Sequence, residues 1–283
     1  MPSPQLLTEI DATRAWVRER QRGGETVGLV PTMGALHEGH LSLARAACEA
    51  CDHAIATVFV NPTQFAPQED YERYPRDLDQ DTHRLGEIGV GAVFAPSVET
   101  MYPPGSGVTI DPGPSSKGFE GAIRPSHFAG VATVVAKLFG IAPADRAYFG
   151  QKDYQQTVVI RRMVADLNLA MEVVVCPTVR EPDGLAMSSR NAYLSPSERK
   201  QALCLSRGLR EAERRYADGE RDASTLRDAV RSVVANETEV ELQYVAVLRD
   251  GTMEEIEVIE GPAVIAVAAR VGSTRLIDNV RLL

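Results

Sequence analysis

The sequence predicts an α/β fold: a Rossmann-like parallel sheet with helices on both faces, followed by a smaller C-terminal α+β domain. The chain has 283 residues, a length typical of about two domains. Short apolar runs alternate with helical patterns over the first two thirds, and the pattern changes near residue 183. Alternating strands and helices imply right-handed crossovers and a parallel sheet. We therefore predict one domain over residues 1–182 and a second over residues 183–283.

In the first domain, apolar and β-branched runs predict strands, and amphipathic or alanine-rich stretches predict helices. Ligands of such sheets bind beyond the carboxyl ends of the strands, so the segments that follow strands are the first places to search for chemistry. The predicted strands are 26–31, 53–60, 91–96, 146–150 and 171–177, and the predicted helices are 41–52, 77–89, 128–142 and 155–168.

The second domain follows a turn signal at Glu181–Gly184. Ser195, Pro196 and Glu198 are typical of a helix start, as N-cap, first helical residue and capping-box partner. The polar stretch 183–195 would join the domains and is a candidate hinge or lid. Helices are predicted over 195–216 and 223–235, and strands over 240–248, 262–270 and 274–280.

Composition and charge narrow the possible functions. With 44% hydrophobic residues, 24% charged residues and a net charge of -9, the chain is typical of a soluble globular protein and a poor non-specific binder of nucleic acid or anionic membrane. It contains no signal peptide and no apolar run of about 18 residues, so we expect a cytoplasmic protein. The Cys48-x-x-Cys51 pair lacks a second pair at zinc spacing, which favours ordinary thiols over a metal or redox site.

The first segment suited to chemistry is Pro31–His40, which follows a predicted strand and opens a predicted helix. A helix start presents unpaired N–H groups and the positive end of the helix dipole, so it is a natural phosphate site. Gly34 allows a tight turn, and Gly39 allows a ligand to approach the backbone. His37 and His40 share a helix face and can donate to phosphate oxygens. This spacing favours nucleotide binding over two capping or core histidines, and no nearby third ligand supports zinc.

Two later segments are less specific when each is taken alone. Gly150–Gln156 lies between a predicted strand and helix, where Lys152 can neutralise phosphate charge and Asp153 can accept from ribose hydroxyls. Met187–Asn191 offers two hydroxyls and an arginine, which together could form a movable anion clamp. On its own, the first segment would be only a polar helix start and the second only a solvated loop.

Together the segments are specific. His-x-Gly-His followed by a Met-Ser-Ser-Arg loop is similar to the paired signatures of the nucleotidyltransferases and class I aminoacyl-tRNA synthetases. The runs VPTMGALHEGHLSL, VFVNPTQF, YFGQKDYQQ and PTVREPDGLAMSSRNAYL occur in order between Val30 and Leu194. With these runs, the first two thirds of the chain closely resemble the pantoate–β-alanine ligases. Gln151 departs from the family pattern, which usually has glutamate at that position.

The resemblance implies ATP-dependent condensation of (R)-pantoate with β-alanine through a pantoyl adenylate, with release of pyrophosphate and AMP. Mg²⁺ would accompany ATP, held largely by phosphates and water rather than by a dedicated protein site. The resemblance also implies a homodimer. The net charge of -9 and the lack of a long apolar run lead us to expect neither nucleic acid nor membrane as a partner. Residues 1–182 would bind nucleotide and pantoate, and residues 183–283 would form a lid.

By the family pattern, His40 is the proton donor, with His37 and Lys152 as further catalytic residues. Gln64 and Gln156 would bind pantoate, since an amide both donates and accepts hydrogen bonds; without the resemblance, surface amides would be favoured. The implied ATP-binding residues are Met33, Gly34, Ala35, Leu36, His37, Glu38, Gly39, His40, Gly150, Gln151, Lys152, Asp153, Val179, Met187, Ser188, Ser189 and Arg190.

Three other residues have weaker predictions. Asp81 is a weak candidate for a contact behind the site, and a solvated helix face fits its sequence at least as well. Arg124 and His127 are possible site residues without an assigned role.

Three rival functions fit parts of the sequence. A nucleotidylyltransferase shares the His-x-Gly-His motif, but the runs around Gln64 and Gln156 favour the ligase. An RNA-binding, synthetase-like module is disfavoured by the net charge of -9 and the absence of an evident basic stripe. A catalytically silent nucleotide sensor is disfavoured because His40, Lys152 and the Ser-Ser-Arg loop are all present.

Overall fold

A computed structural model describes residues 3–66 and 71–283 of the chain. The chain divides into two compact units, each with an apolar core of its own. Unit 1 comprises residues up to 150 and residues 159–176, and unit 2 comprises residues 151–158 and 177–283. The domain boundary between residues 182 and 183, and the roles assigned to the two parts, stay predictions.

Unit 1 is built on a parallel sheet of six strands. The strands are β1 (Gln5–Leu7), β2 (Val27–Thr32), β3 (His53–Val58), β4 (Ala92–Phe94), β5 (Arg146–Gly150) and β6 (Glu172–Cys176). Their order is β1-β4-β3-β2-β5-β6, and every pairing is parallel. The chain winds outward from β2 in both directions, and the carboxyl end of the sheet at such a switch point is where ligands bind in this class of fold.

Helices cover both faces of this sheet. Successive strand residues point to opposite faces, and accordingly Leu29 belongs to one apolar cluster and Val30 to another. The first cluster includes residues of α1, α6 and α7, and the second includes residues of α2 and α3. The helices are α1 (Ile10–Arg22), α2 (Glu38–Ala50), α3 (Leu78–Ile88), α4 (Val98–Met101), α5 (Glu120–Ile123), α6 (His127–Ile141) and α7 (Tyr154–Asp166).

Unit 2 has an antiparallel sheet of three strands in the order β7-β8-β9, packed against two helices. The elements are α8 (Pro196–Ala217), α9 (Ala223–Val234), β7 (Val240–Arg249), β8 (Ala263–Val271) and β9 (Thr274–Leu282). As predicted, Ser195 caps α8: its Oγ accepts from the N–H of Glu198 at 3.2 Å, and the Glu198 carboxylate accepts from the N–H of Ser195 at 2.7 Å. The two units confirm the predicted fold, a parallel α/β sheet followed by a smaller α+β part.

Two further observations concern membrane-spanning helices and the state of the cysteines. Among residues 3–66 and 71–283, no helix combines the length and apolar character needed to cross a membrane. The four cysteines are free thiols, and Cys51, Cys176 and Cys204 are buried. Burial raises the pKa of the Cys204 thiol to about 12, so this thiol is protonated at neutral pH.

Helix α6 packs unusually closely on the 3₁₀ turn Pro62–Gln64, at Gly130. A Cβ at Gly130 would lie 2.3 Å from the carbonyl oxygen of Thr63. We therefore expect Gly130→Ala to lower the free energy of unfolding by about 1–3 kcal/mol through overpacking, measured by denaturant unfolding.

Gly140→Ala is the matched control, since it lies in the same helix and its Cβ would have no atom within 4 Å. Alanine has the higher helix propensity, so this variant should be neutral or more stable by up to about 1 kcal/mol. Equal stability of the two variants would show that close packing does not exclude a side chain at Gly130.

Candidate active site

The segment Met33–His40 links β2 to α2 through a strained turn. Gly34 and Ala35 both have left-handed backbone conformations, with φ of 82° and 50°. A Cβ at Gly34 would also lie 2.8 Å from an Asp81 carboxylate oxygen, so glycine is required there for two reasons. Helix α2 begins at Glu38, three residues earlier than predicted. The start of the helix therefore lies inside the motif.

His37 and His40 form a reciprocal cap at this helix start. The Nδ1 of His37 accepts from the N–H of Gly39 at 3.1 Å, and the Nδ1 of His40 accepts from the N–H of His37 at 3.3 Å. Because each Nδ1 is an acceptor, a neutral ring carries its proton on Nε2. Capping engages Nδ1, whereas a bound phosphate would face an Nε2 donor. Capping and phosphate binding, which the sequence posed as alternatives, are therefore compatible.

Asp81 anchors the turn before this helix. Its side chain is 2% exposed, and its two oxygens accept from the N–H groups of Ala35 at 2.9 Å and Leu36 at 2.8 Å. Arg84 donates to the Leu36 carbonyl at 2.5 Å. Burial raises the pKa of Asp81, and the two N–H donors oppose that rise. The interpretation of Asp81 as part of a solvated helix face is wrong, because its carboxylate is buried and hydrogen-bonded to backbone.

Gln64 is held at both ends of its side-chain amide and at its backbone. Asn61 donates to Gln64 Oε1 at 3.1 Å, and Gln64 Nε2 donates to the sulfur of Met33 at 3.0 Å. Its carbonyl accepts from His127 Nδ1 at 2.8 Å and from Arg124 at 3.3 Å. Asn61 was not among the predicted residues, and Arg124 and His127 had no role. The structure connects all three to Gln64.

In unit 2, residues Gln151–Asp153 form a 3₁₀ turn directly before α7. Asn279 on β9 donates to the carbonyls of Gln151 at 2.9 Å and Lys152 at 3.0 Å, and Gln151 Nε2 donates to Asn279 Oδ1 at 3.0 Å. The Lys152 ammonium lies 3.7 Å from the Asp153 carboxylate. A glutamate at position 151, which the resemblance leads us to expect, would lack the donor that Gln151 gives to Asn279 in this partly buried hydrogen bond.

The segment that ends at Arg190 is more regular than a solvated loop. The N–H of Met187 donates to the carbonyl of Val179 at 3.0 Å, so these two predicted residues are neighbours across a hairpin. Ser188 then caps the 3₁₀ turn Ser189–Tyr193 by accepting from the N–H of Arg190 at 3.3 Å. The hydroxyls and the arginine therefore lie on a hydrogen-bonded turn.

The predicted site residues fall into two groups, one in each unit. Unit 1 holds Met33–His40, Gln64 and Gly150, and unit 2 holds Gln151–Asp153, Gln156, Val179 and Met187–Arg190. In unit 1, Gln64 is joined to the motif through Met33. In unit 2, the turns Gln151–Asp153 and Ser189–Tyr193 both pack against β9.

Comparison with known families identifies the chain. The model of the family described as pantoate-beta-alanine ligase matches residues 5–281. The chain belongs to the pantoate–β-alanine ligase family. The pantothenate synthetase of Roseiflexus sp. strain RS-1 is 58% identical over 254 residues, which cover 90% of this chain and 91% of the relative. That of Acidobacterium capsulatum is 56% identical over 290 residues, with coverage of 100% and 97%.

Solved structures of this ligase family share the fold. A pantothenate synthetase from Thermus thermophilus superposes with a TM-score of 0.93 at 45% identity, covering 98% of each chain. The ligase from Francisella tularensis, solved in complex with a compound named beta-gamma ATP and with β-alanine, superposes with a TM-score of 0.80 at 34% identity. It covers 98% of this chain and 97% of its own. The predicted family and fold are thus confirmed, whereas the roles of individual residues stay predictions.

We expect His40→Ala to lower the rate of adenylate formation by about 10²–10⁴, the range for loss of a positioned donor. Loss of the cap should cost only about 0.5–2 kcal/mol of stability, so the enzyme should stay folded. Single-turnover kinetics and thermal unfolding would measure the two effects separately.

His83→Ala is the matched control, because His83 is a largely exposed histidine on α3 that pairs only weakly with Glu87 at 3.6 Å. It should retain activity within about twofold. A His40→Ala enzyme with a turnover within a few-fold of wild type would remove His40 from the chemistry.

Proposed function

We infer that this ligase condenses (R)-pantoate with β-alanine, using ATP and passing through pantoyl adenylate. The observation that carries this inference is the family match over residues 5–281. The Francisella tularensis ligase, solved with beta-gamma ATP and β-alanine, supports ATP and β-alanine as ligands here.

The chemistry explains why ATP is needed. A carboxylate does not react with an amine at neutral pH, so a leaving group must first be installed. Attack of the pantoate carboxylate on the α-phosphorus forms the adenylate and releases pyrophosphate. Attack of the β-alanine amine on the acyl carbon then forms the amide and releases AMP. Negative charge redistributes over phosphate oxygens in the first step, so positioned donors and cations are the main source of catalysis.

We propose that His37 and His40 donate from Nε2 to phosphate oxygens, at the positive end of the α2 dipole. Lys152 would neutralise further phosphate charge. Mg²⁺ would enter with ATP and be held largely by phosphates and water. Asp153 and Ser188, in two segments proposed to bind ATP, carry oxygen atoms suited to Mg²⁺.

We further propose that all the ATP-binding residues inferred from the sequence bind the nucleotide, and that Gln64 and Gln156 bind pantoate. Support for Gln64 comes from its fixed geometry: an amide held by Asn61 and Met33 is pre-oriented for a hydroxy acid. A cytoplasmic homodimer, and a lid role for the C-terminal part, complete the proposal.

Gln64→Ala and Gln156→Ala should each weaken pantoate binding and leave ATP binding nearly unchanged. Each lost hydrogen bond should cost about 0.5–1.5 kcal/mol, or about 2–13-fold in the pantoate dissociation constant. Isothermal titration calorimetry with each ligand would measure both. If the affinity for ATP fell as much as that for pantoate, the amides would be acting through the structure of the site.

The reaction class is tested by isotope exchange. With ATP, Mg²⁺ and pantoate but no β-alanine, labelled pyrophosphate should appear in ATP, because adenylate formation is reversible. Omission of pantoate should abolish the exchange, and addition of β-alanine should yield AMP and pantothenate in equal amounts.

The rival functions predict different products. A nucleotidylyltransferase would leave the nucleotide on its product and release no AMP, and a nucleotide sensor would catalyse no exchange. Release of ADP and phosphate would contradict the adenylate mechanism, because it would place the attack at the γ-phosphorus.

A further inference from the structure

Two adjacent polar residues on β9, Asp278 and Asn279, are buried, each 3% exposed. The proposed chemistry assigns neither of them a role. A buried carboxylate or amide is costly unless its hydrogen-bonding groups are satisfied, so the partners of such residues show what they hold. Successive strand residues point to opposite faces, so the pair can hold two different segments.

Asn279 fixes the turn that carries Lys152. Its Nδ2 donates to the carbonyls of Gln151 at 2.9 Å and Lys152 at 3.0 Å, and its Oδ1 accepts from the side chain of Gln151 at 3.0 Å. A side-chain amide has two N–H donors, and both are used on this turn. The position of the Lys152 backbone is therefore set by a residue on β9.

Asp278 fixes the hairpin that leads to the Ser188–Arg190 segment. Its carboxylate binds Arg180 in a bidentate pair at 2.6 and 3.0 Å, and Arg180 also donates to the carbonyl of Gly184 at 3.2 Å. Burial raises the pKa of Asp278, and Arg180 opposes this rise. Loss of Arg180 would leave the buried Asp278 carboxylate unpaired, so the pair constrains the hairpin strongly.

The turn Gln151–Asp153 and the turn Ser189–Tyr193, which follows the hairpin, both pack against β9. We propose that Asp278 and Asn279 are positioning residues of the ligase, which fix Lys152 and the Ser188–Arg190 turn in the geometry that binds the triphosphate of ATP. This proposal rests on the proposed function, since it takes these two turns to be ATP-binding segments.

A purely structural role makes a different prediction. Loss of general stability lowers the amount of folded enzyme, whereas loss of positioning weakens ATP binding by enzyme that is still folded. The isosteric variants Asn279→Asp and Asp278→Asn suit this comparison because they leave side-chain volume almost unchanged. Asn279→Asp places carboxylate oxygens against two carbonyls, and Asp278→Asn removes the charge that pairs with Arg180.

We expect each variant to raise the ATP dissociation constant of the folded enzyme by about tenfold or more, the effect of one to two lost hydrogen bonds. Pantoate-dependent pyrophosphate exchange should slow by at least the same factor at subsaturating ATP, and the KM for β-alanine should stay within about twofold. Hydrogen exchange should increase over residues 151–154 in Asn279→Asp and over residues 180–190 in Asp278→Asn.

Arg227→Met is the matched control. The Arg227 side chain is 15% exposed and pairs with Glu255 and Glu257 in unit 2. This variant should lose stability and keep the ATP dissociation constant within about twofold. If Asn279→Asp does not fold, Asn279→Ser, which removes the amide donors without adding a charge, takes its place in the same assays.

The proposal is overturned if the folded β9 variants bind ATP with wild-type affinity, or if Arg227→Met weakens ATP binding as much as they do. Failure of the proposed function would look different. In that case the wild-type enzyme itself would show no pantoate-dependent exchange, while the ATP affinities of wild type and variants would still test the positioning role.

Discussion

Asp81 accepts hydrogen bonds from the N–H groups of Ala35 and Leu36, and the geometry of the Met33–His40 segment, proposed to bind phosphate, depends on that contact. An alanine at a φ of 50° is unfavourable by about 1–2 kcal/mol, so the turn needs an external anchor. The anchored turn determines where α2 begins, and the start of α2 determines which backbone N–H groups His37 and His40 meet. The orientation of both imidazoles therefore depends on a carboxylate on another helix.

In unit 2, a buried polar side chain likewise holds an irregular turn. The turn after β5 has no strand partner for its carbonyls, and buried backbone groups must be paired. Asn279 supplies the missing donors to Gln151 and Lys152, as Asp81 supplies acceptors in unit 1. In both cases, irregular backbone that follows a strand of the parallel sheet is held by a buried polar side chain. Such segments can present several backbone and side-chain groups to a ligand.

The sequence predicted the regular elements well wherever the signal was local. β5 occurs at its predicted bounds, and α8 has the predicted capping box. β1 was missed because Gln5–Leu7 has only two apolar residues, and α1 because glutamate, at its N-cap Glu9, is not a typical capping residue. The motif residues were found through spacing and resemblance. Of their anchors, Asp81 was only a weak candidate and Asn279 was not predicted, since the two act on residues 45–46 and 127–128 positions away, and no local pattern records such a pairing.

The buried carboxylates Asp81 and Asp278 also affect the electrostatic potential at the segments proposed to bind ATP. Each unit buries a carboxylate close to a segment proposed to bind an anion, and an uncompensated negative charge there would oppose ATP binding. The Asp81 oxygens accept hydrogen bonds from backbone N–H groups, and the charge of Asp278 is balanced by Arg180. Gln151 acts in the same direction, because it places a neutral amide beside Lys152 where the resemblance leads us to expect glutamate. Asn279 thus accepts a hydrogen bond from Gln151, and the Lys152 turn has one negative charge fewer than it would have with glutamate.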